Sequence, residues 1–413
     1  MPLLFHCYFA HSANATTHQV GFASLDITPA QQLIDEGDVY MGGYGLWTTR
    51  GAAESVHDPL KASAVCISDS TNDLCIVILD SLGLSGQITN IIGTKINSIT
   101  GIPVDNIFVG ATHTHAAPDL LGLWGGSPNE YQEHLINQAS RAVAEAYLSR
   151  TPANLFYSVG QGKAFNRRGW GYTDETITVI EALAENGTRL GTVINFAAHP
   201  VVSRAENLQI SSDYVHYLRE YTQDITEAPV VYINGAIGDV NPMQDRAEDE
   251  WKSAKIYGEM IADAAYTAMI SRQPISAGIY IARKPFTTEV NNTVLALGQF
   301  FGIIEDNSSG PPWAVKVNSS VGRFSLGNEV DAVAVPGEAV TRLGLAIKAD
   351  MQAPVKLFLG LSGGSLGYFI PADEWETDRN ENYEESVSLG QHIAGQVQEL
   401  LGTLKQHTGT IKQ

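Results

Sequence analysis

Val109-Gly110-Ala111-Thr112-His113-Thr114-His115-Ala116-Ala117-Pro118 places two of the chain's 11 histidines at i and i+2, just beyond a run of apolar residues. Ile107–Ala111 reads as a buried strand, so the question is what two imidazoles do at its end. In an extended chain, residues two apart point to the same side. His113 and His115 would then emerge together at the strand's C-terminal edge, where α/β proteins bind ligands. The pair suits a metal or a proton-transfer site. The plain alternative is two histidines hydrogen-bonded in a loop.

Working outward from this stretch, strand-like and helical segments alternate without a low-complexity linker or an internal repeat. Residues 65–79 read as a hairpin around Asp69-Ser70-Thr71-Asn72-Asp73. Ser85 is placed to cap a helix running to about Ile99. Ser127-Pro128-Asn129-Glu130 reads as a capping box with proline at the first helical position. The helix that follows carries Tyr131, Leu135, Ala139, Ala142, Val143 and Ala146 on one stripe. Asn186-Gly187 between two apolar runs predicts a hairpin over 176–196. Residues 230–234 form another buried strand and 247–270 a helix. Residues 330–335 form a strand ended by Pro336-Gly337, with a helix starting near Glu338. A strand over 355–361 and an amphipathic helix through Leu389, Ile393, Val397, Leu400 and Leu404 close the chain. The fold class is therefore α/β, a mixed β-sheet core covered by helices, with a metal site at strand C-terminal ends. The expected organisation is an N-terminal extension or signal remnant (1–18), a single catalytic domain (19–407) and a short tail (408–413).

Composition narrows the function. Of the 413 residues 44% are hydrophobic and 17% charged, as in a globular protein. Lys+Arg total 25 and Asp+Glu 45, a net charge of −20. Such a surface repels phosphate, which argues against nucleic acid and against docking on anionic lipid by charge. No run of 18 apolar residues is present, so no transmembrane helix is expected. Ala13-Asn14-Ala15 after a short apolar run resembles a signal-peptidase site, but His6 and His11 interrupt the run and a basic start is missing. Export, to the periplasm or outside the cell, is one expectation and a cytoplasmic chain with an N-terminal extension the other. Cys66 and Cys75 flank the first hairpin turn almost symmetrically. Two buried free thiols are expected there, with a cross-strand disulfide as the alternative in an oxidising compartment. The sequence does not speak to oligomeric state.

A third histidine joins the opening pair. Val193–Phe196 is again apolar and leads into Ala197-Ala198-His199-Pro200. Two strands that each end in histidine suggest convergence on one edge. Glu338, after Pro336-Gly337, could be oriented by a helix N-terminus. Tyr368 follows the glycine-rich stretch 360–367.

In this order these segments resemble the catalytic domain of the neutral ceramidases, zinc-dependent amidases that cleave N-acyl-sphingosine. The resemblance runs through Asp26-Ile27-Thr28-Pro29, Met41-Gly42-Gly43-Tyr44, Ala111-Thr112-His113-Thr114-His115, Asn166-Arg167 and Ala198-His199-Pro200. It continues through Gly238-Asp239-Val240-Asn241-Pro242, Val335-Pro336-Gly337-Glu338, Gly367-Tyr368 and Tyr383-Glu384. It implies that His113, His199, Glu338 and Tyr368 ligate Zn²⁺, and that His115, Arg167 and Tyr383 line the scissile amide. Zinc held in this way would lower the pKa of a water towards about 7 and make hydroxide available. Zinc, His115, Tyr383 or Arg167 would stabilise the oxyanion, and a protonated His115 would donate to the leaving group. The chain departs from the family in three places. Asn241 stands where the family has a catalytic serine, and an amide can hydrogen-bond but not act as nucleophile. The family's C-terminal immunoglobulin-like domain has no counterpart here. The segment between Tyr368 and Tyr383 is longer and acidic.

The expected activity is hydrolysis of a carbonyl substrate, a small-molecule acyl amide or ester, with a linear amide first. An esterase, lactonase or small-amide hydrolase on the same scaffold is the first alternative, and a non-catalytic metal- or ligand-binding homologue the second. Gly360-Leu361-Ser362-Gly363-Gly364 also matches GxSxG. A nucleophile elbow needs a following helix, whereas Tyr368-Phe369-Ile370-Pro371 reads as extended; a loop that lets backbone approach closely is the preferred reading. His134 and His216 are expected to face solvent. His57-Asp58, Asp80 and Asp239 are read either as supports of the site or as turn residues.

Overall fold

The computed structural model describes residues 18–45, 50–243, 249–301, 307–377 and 383–404. The N-terminal extension apart from His18, the possible cleavage site, His407 and the tail lie outside them.

Two sheets stack face to face with helices on both outer faces. The larger sheet runs, in spatial order, Val230–Asn234, Arg189–Phe196, Thr176–Leu183, Thr151–Gln161, His18–Asp26, Lys61–Ser68, Asp73–Leu79 and Ile107–Ala111, with Gln273–Pro274 paired to Thr151–Gln161. Its two outermost pairs are parallel and the pairs between are antiparallel. The strands at both ends, Ile107–Ala111 and Val230–Asn234, are buried along their whole length. That is the pattern of strands covered on both faces and explains their unbroken apolar runs. The second sheet runs Ile279–Glu289, Lys316–Leu326, Val330–Ala334, Val355–Leu359, with Ser308–Ser309 on its margin.

Between the sheets lies a dry layer in which Val65, Ile76, Phe108 and Ile233 meet Phe324, Ala332 and Leu357. Helices Gly86–Thr100 and Asn129–Leu148 cover one part of the larger sheet, and Tyr214–Thr226 and Glu250–Met269 another. Thr341–Ala349 and Ile393–Thr403 cover the second sheet. The mixed α/β architecture is the one expected, and the stripe from Tyr131 to Ala146 is buried as its spacing requires.

Three local expectations are corrected. Ser85 caps its helix through Ile88 N–H, but Ser127 does not. The N-cap of Asn129–Leu148 is Pro128 with no side-chain bond, and Ser127 Oγ has no protein partner. The helix expected near Glu338 begins at Thr341, because the Asp239 carboxylate accepts from Thr341 N–H and Oγ–H and fixes the start there. The cysteines are not free thiols. Cys66 and Cys75 are direct partners in the hairpin register, with Cα atoms 4.2 Å apart, and form a buried disulfide.

The two ends of the larger sheet also approach each other. Asn234 Nδ2 donates to Thr112 O and to Ala111 O, tying one terminal strand to the other. The glycine-rich segment threads this junction: Gly360 N–H donates to Asn234 O and Gly363 N–H to Val109 O. A Cβ on Gly360 would lie 2.5 Å from Gly235 O, so only glycine permits the approach. Ser362 is buried in a bridge to Gly110, not raised on a strand–helix elbow.

Candidate metal and hydrolase site

The junction brings the histidines together. The Ile107–Ala111 strand ends before them, and His113 takes φ +66°, so the pair is not the extended i, i+2 couple that alternation predicts. The left-handed turn and the side-chain tethers set the rings instead. Thr114 Oγ donates to Ser211 O, and His115 N–H donates to Pro200 O. The result is His113 Nε2 at 3.3 Å from His115 Nε2. His199 arrives from the far side of the sheet, its N–H held by Val240 O. The three imidazoles are buried, with one ring nitrogen of each within 4.8 Å of the others.

Glu338 closes the group. It lies on a two-residue strand, Glu338–Ala339, that pairs in parallel with Tyr368–Phe369 in the register Glu338↔Tyr368. A β-ladder therefore carries its carboxylate, not the helix N-terminus expected from sequence. Glu338 Oε2 stands 3.2 Å from His113 Nε2 and 3.1 Å from His199 Nε2.

The proton positions follow from the second ring nitrogens. His113 Nδ1 lies 2.5 Å from Leu82 O and His199 Nδ1 3.0 Å from Val240 O. A carbonyl only accepts, so both Nδ1 atoms carry a proton, and in the neutral tautomer Nε2 is the atom that can ligate a metal. Burial, with Arg167 nearby, pushes His199 down to about 4, so it is neutral at pH 7. Burial, reinforced by His113 and His199, holds His115 well below its ordinary value. Burial opposes ionisation of Glu338, but His113 and His199 hold it well below the carboxylate range. His113 Nε2 and His199 Nε2 thus converge on one carboxylate oxygen at 3.2 and 3.1 Å, close enough for a proton or a metal ion to be shared among them. His115 Nδ1 is buried without a hydrogen-bond partner among the described residues. The buried histidine group could hold a metal ion, and the donor set fits one.

Tyr368 and Tyr383 face this cluster across the cavity, with rings 5.9 Å apart. Arg167 is committed to its neighbours: Nη2 donates to Tyr368 Oη at 3.0 Å and to Gly238 O, and Nε to Glu384 Oε1. Burial disfavours its charge, but Tyr368 and Glu384 outweigh that and keep it protonated. Arg168 pairs with Glu384 and Glu385, which pins the short helix Tyr383–Ser386 beside the site. Asn241 pairs with Phe165 across a short ladder and does not line the cavity. Asp239 is a support of the site, since its carboxylate takes Asn166 Nδ2 and Thr341 while its carbonyl takes Arg167 N–H. Asp58 and Asp80 lie elsewhere: Asp80 pairs with Arg219, and Asp58 accepts from Ser211 and Ser212. His134 is exposed as expected, whereas His216 is half-buried at 3.6 Å from Asp58.

Arg50 escaped the sequence reading. Its guanidinium donates to His115 O and Asn207 O, both at 2.5 Å, and to Gly42 O at 2.7 Å. It staples the histidine loop to the 204–207 segment. No motif surrounds it, and an arginine whose hydrogen bonds go to backbone carbonyls leaves no pattern in a single sequence. Gly43, named in the sequence only as part of the Met41–Tyr44 segment, has a role there too. A Cβ there would lie 2.5 Å from His115 Nδ1, so the glycine makes room for that ring.

The chain has the fold of a neutral ceramidase. Its structure is similar to that of neutral ceramidase from Pseudomonas aeruginosa, with a TM-score of 0.79 at 16% identity, covering 94% of this chain and 74% of that one. A ceramidase complexed with C2 gives 0.76 at 16% identity over the same shares. No family model matches the sequence. Among the described residues no helix is long and apolar enough to cross a membrane.

Proposed function

We propose that the protein is a zinc-dependent hydrolase that cleaves a linear N-acyl amide. The observation that carries this reading is the shared meeting point of His113 Nε2, His199 Nε2 and Glu338 Oε2, with both Nδ1 protons anchored on carbonyls. The similarity to two ceramidase structures supports the amide as substrate.

His113, His199, Glu338 and Tyr368 would hold the ion. Zinc bound there would act as a Lewis acid and acidify a water at neutral pH. His115, neutral and buried, is the proton acceptor for the attacking water. Once protonated it donates to the leaving nitrogen, so the proton taken at attack is returned at cleavage. Tyr383 presents a hydroxyl to the carbonyl oxygen as charge develops on it. Arg167 acts through Tyr368, fixing its hydroxyl and adding positive charge nearby. Asn241 follows Val240, the His199 anchor, but lies outside the cavity, and an amide side chain cannot act as nucleophile, which leaves attack to water. The disulfide supports an oxidising compartment, outside the cytoplasm.

The test is metal content per chain in the wild type beside His199→Ala, with no metal added, followed by hydrolysis of matched amide and ester substrates. About one zinc in the wild type, little in the variant and faster amide than ester turnover are expected. A well-folded wild type without stoichiometric metal, or one indifferent to chelation, would overturn the reading.

A further inference from the structure

Two of the three clustered imidazoles have a ring nitrogen tied to a carbonyl, His113 to Leu82 O and His199 to Val240 O. His115 has no such tie. Its Nδ1 is without a hydrogen-bond partner among the described residues, and its Nε2 faces His113 Nε2 at 3.3 Å. The third ring sits instead in a slot. Gly43 forms one wall, where a Cβ would lie 2.5 Å from His115 Nδ1. Tyr44 forms the next, its ring edge-on to the imidazole with centroids 4.7 Å apart. A ring held by packing is placed only as well as the walls around it.

Arg50 grips both sides of that slot with one nitrogen. Its Nη1 donates to Gly42 O at 2.7 Å, next to the Gly43 wall, and to His115 O at 2.5 Å, on the residue that carries the ring. The same guanidinium lies over the Tyr44 ring, 4.9 Å from its centroid. The fork is itself fixed by a third segment, since Nε donates to Ala205 O at 3.0 Å and Nη2 to Asn207 O at 2.5 Å. Pro200 O holds the His115 N–H, so one end of the residue is fixed there and the other by Arg50. Carbonyls from three segments thus converge on one planar fork. A guanidinium reaches them in its fixed directions, whereas the three donors of an ammonium spread from a single point. Arg50 does not line the cavity, so it acts only through these neighbours.

We propose that Arg50 is a positioning residue for His115: it sets the spacing between the imidazole and the Gly43–Tyr44 walls and so aims the ring at the reacting centre. The consequence for turnover rests on the hydrolase reading, in which His115 moves the proton; the placement of the ring does not. Misplacing a reacting group by about 1 Å costs on the order of 100-fold in rate. Substrate binding by the cavity walls is left alone, so the loss falls on kcat and not on KM.

The experiment uses the full-length, zinc-loaded protein and Arg50→Lys, which keeps a cation and loses the fork. Crystal structures of the two should show the His115 ring moved by about 1 Å or turned to another rotamer, with His113, His199 and Glu338 in place. On a linear amide kcat should fall about 100-fold, with KM, zinc content and Tm close to wild type. In Arg50→Gly, millimolar guanidinium should restore most of the lost kcat and ammonium at the same concentration should not; the lysine variant carries the test alone if the glycine variant does not fold. A His115 ring that stays in place in Arg50→Lys, or an unchanged kcat, overturns the proposal, as does a loss of kcat that merely follows loss of zinc or of Tm. If the wild type hydrolyses no acyl amide or ester, the hydrolase reading fails, and the two ring positions still decide the role of Arg50.

Discussion

The two halves of the site are held differently. The histidine half stands beyond the ends of two strands, Ile107–Ala111 and Arg189–Phe196, and two of its rings have a backbone anchor, Leu82 O for His113 and Val240 O for His199. The other half, Glu338 and Tyr368, stands on a two-residue parallel ladder beyond the second sheet. That ladder depends on side-chain tethers, Arg167 on Tyr368 and Asp239 on Thr341. The first half leans on direct ring-to-backbone bonds, and the second adds a side-chain network to its short ladder. Losses should therefore be abrupt on one side and graded on the other.

The strand side should show the largest effect. His199→Ala is expected to remove stoichiometric metal and lower kcat/KM at least about 1,000-fold, as read by elemental analysis and amide hydrolysis. Tyr368→Phe should keep most metal and lose about 10- to 100-fold. Equal metal loss in both variants would erase the contrast.

Arg167→Lys sharpens the same comparison. Lysine keeps the charge but not the planar fork that joins Tyr368, Glu384 and Gly238 O. A fall in kcat of about 10-fold or more, with zinc content intact, is expected. Unchanged kcat would mean that Tyr368 is positioned by its ladder alone.

Away from the site the effects fall on stability. Replacing Cys66 and Cys75 together by serine should cost about 2–3 kcal/mol for a loop of this length, read by urea unfolding with and without reductant. Activity at 25 °C should not move. Smaller still is Lys348→Met, about 1 kcal/mol at neutral pH. Burial works against ionisation of Asp174, but Lys348, 2.7 Å away, holds its carboxyl below the ordinary value. A depressed carboxyl contributes stability above its unfolded pKa of about 3.9, and the contribution is lost as pH falls through the folded value. The gap between wild type and variant should thus narrow below about pH 4. A constant gap would show that the pair is not the cause.

Much of the strand side was legible. Ile107–Ala111 announces itself by an unbroken apolar run and Arg189–Phe196 by the Asn186-Gly187 turn before it, and a histidine after each is visible without a structure. The bracing was not. His113 leaves the strand in a left-handed turn, which period-2 alternation cannot foresee. Glu338 was marked as a site residue, yet its setting was misread because Asp239, about a hundred residues away, decides where the helix starts. Ser127 has the letters of a capping box, but Pro128 takes the cap position. Cys66 and Cys75 showed their symmetry about the turn, while a single sequence carries no signal for the redox state of the pair. Arg50 was invisible, since its hydrogen bonds go to backbone carbonyls.

The parallel ladder between Glu338 and Tyr368 also has a consequence for biogenesis. A chain is synthesised from its N-terminus, and its parts can fold as they emerge. The histidine pair at 113 and 115 is made early, and His199 near the midpoint. Neither Glu338 nor Tyr368 can take its place until residue 368 has been made and the ladder has formed. The complete donor set therefore arises only after most of the polypeptide has left the ribosome. On the proposed reading metal capture is then a late event, and the compartment that receives the finished chain would decide which ion it meets.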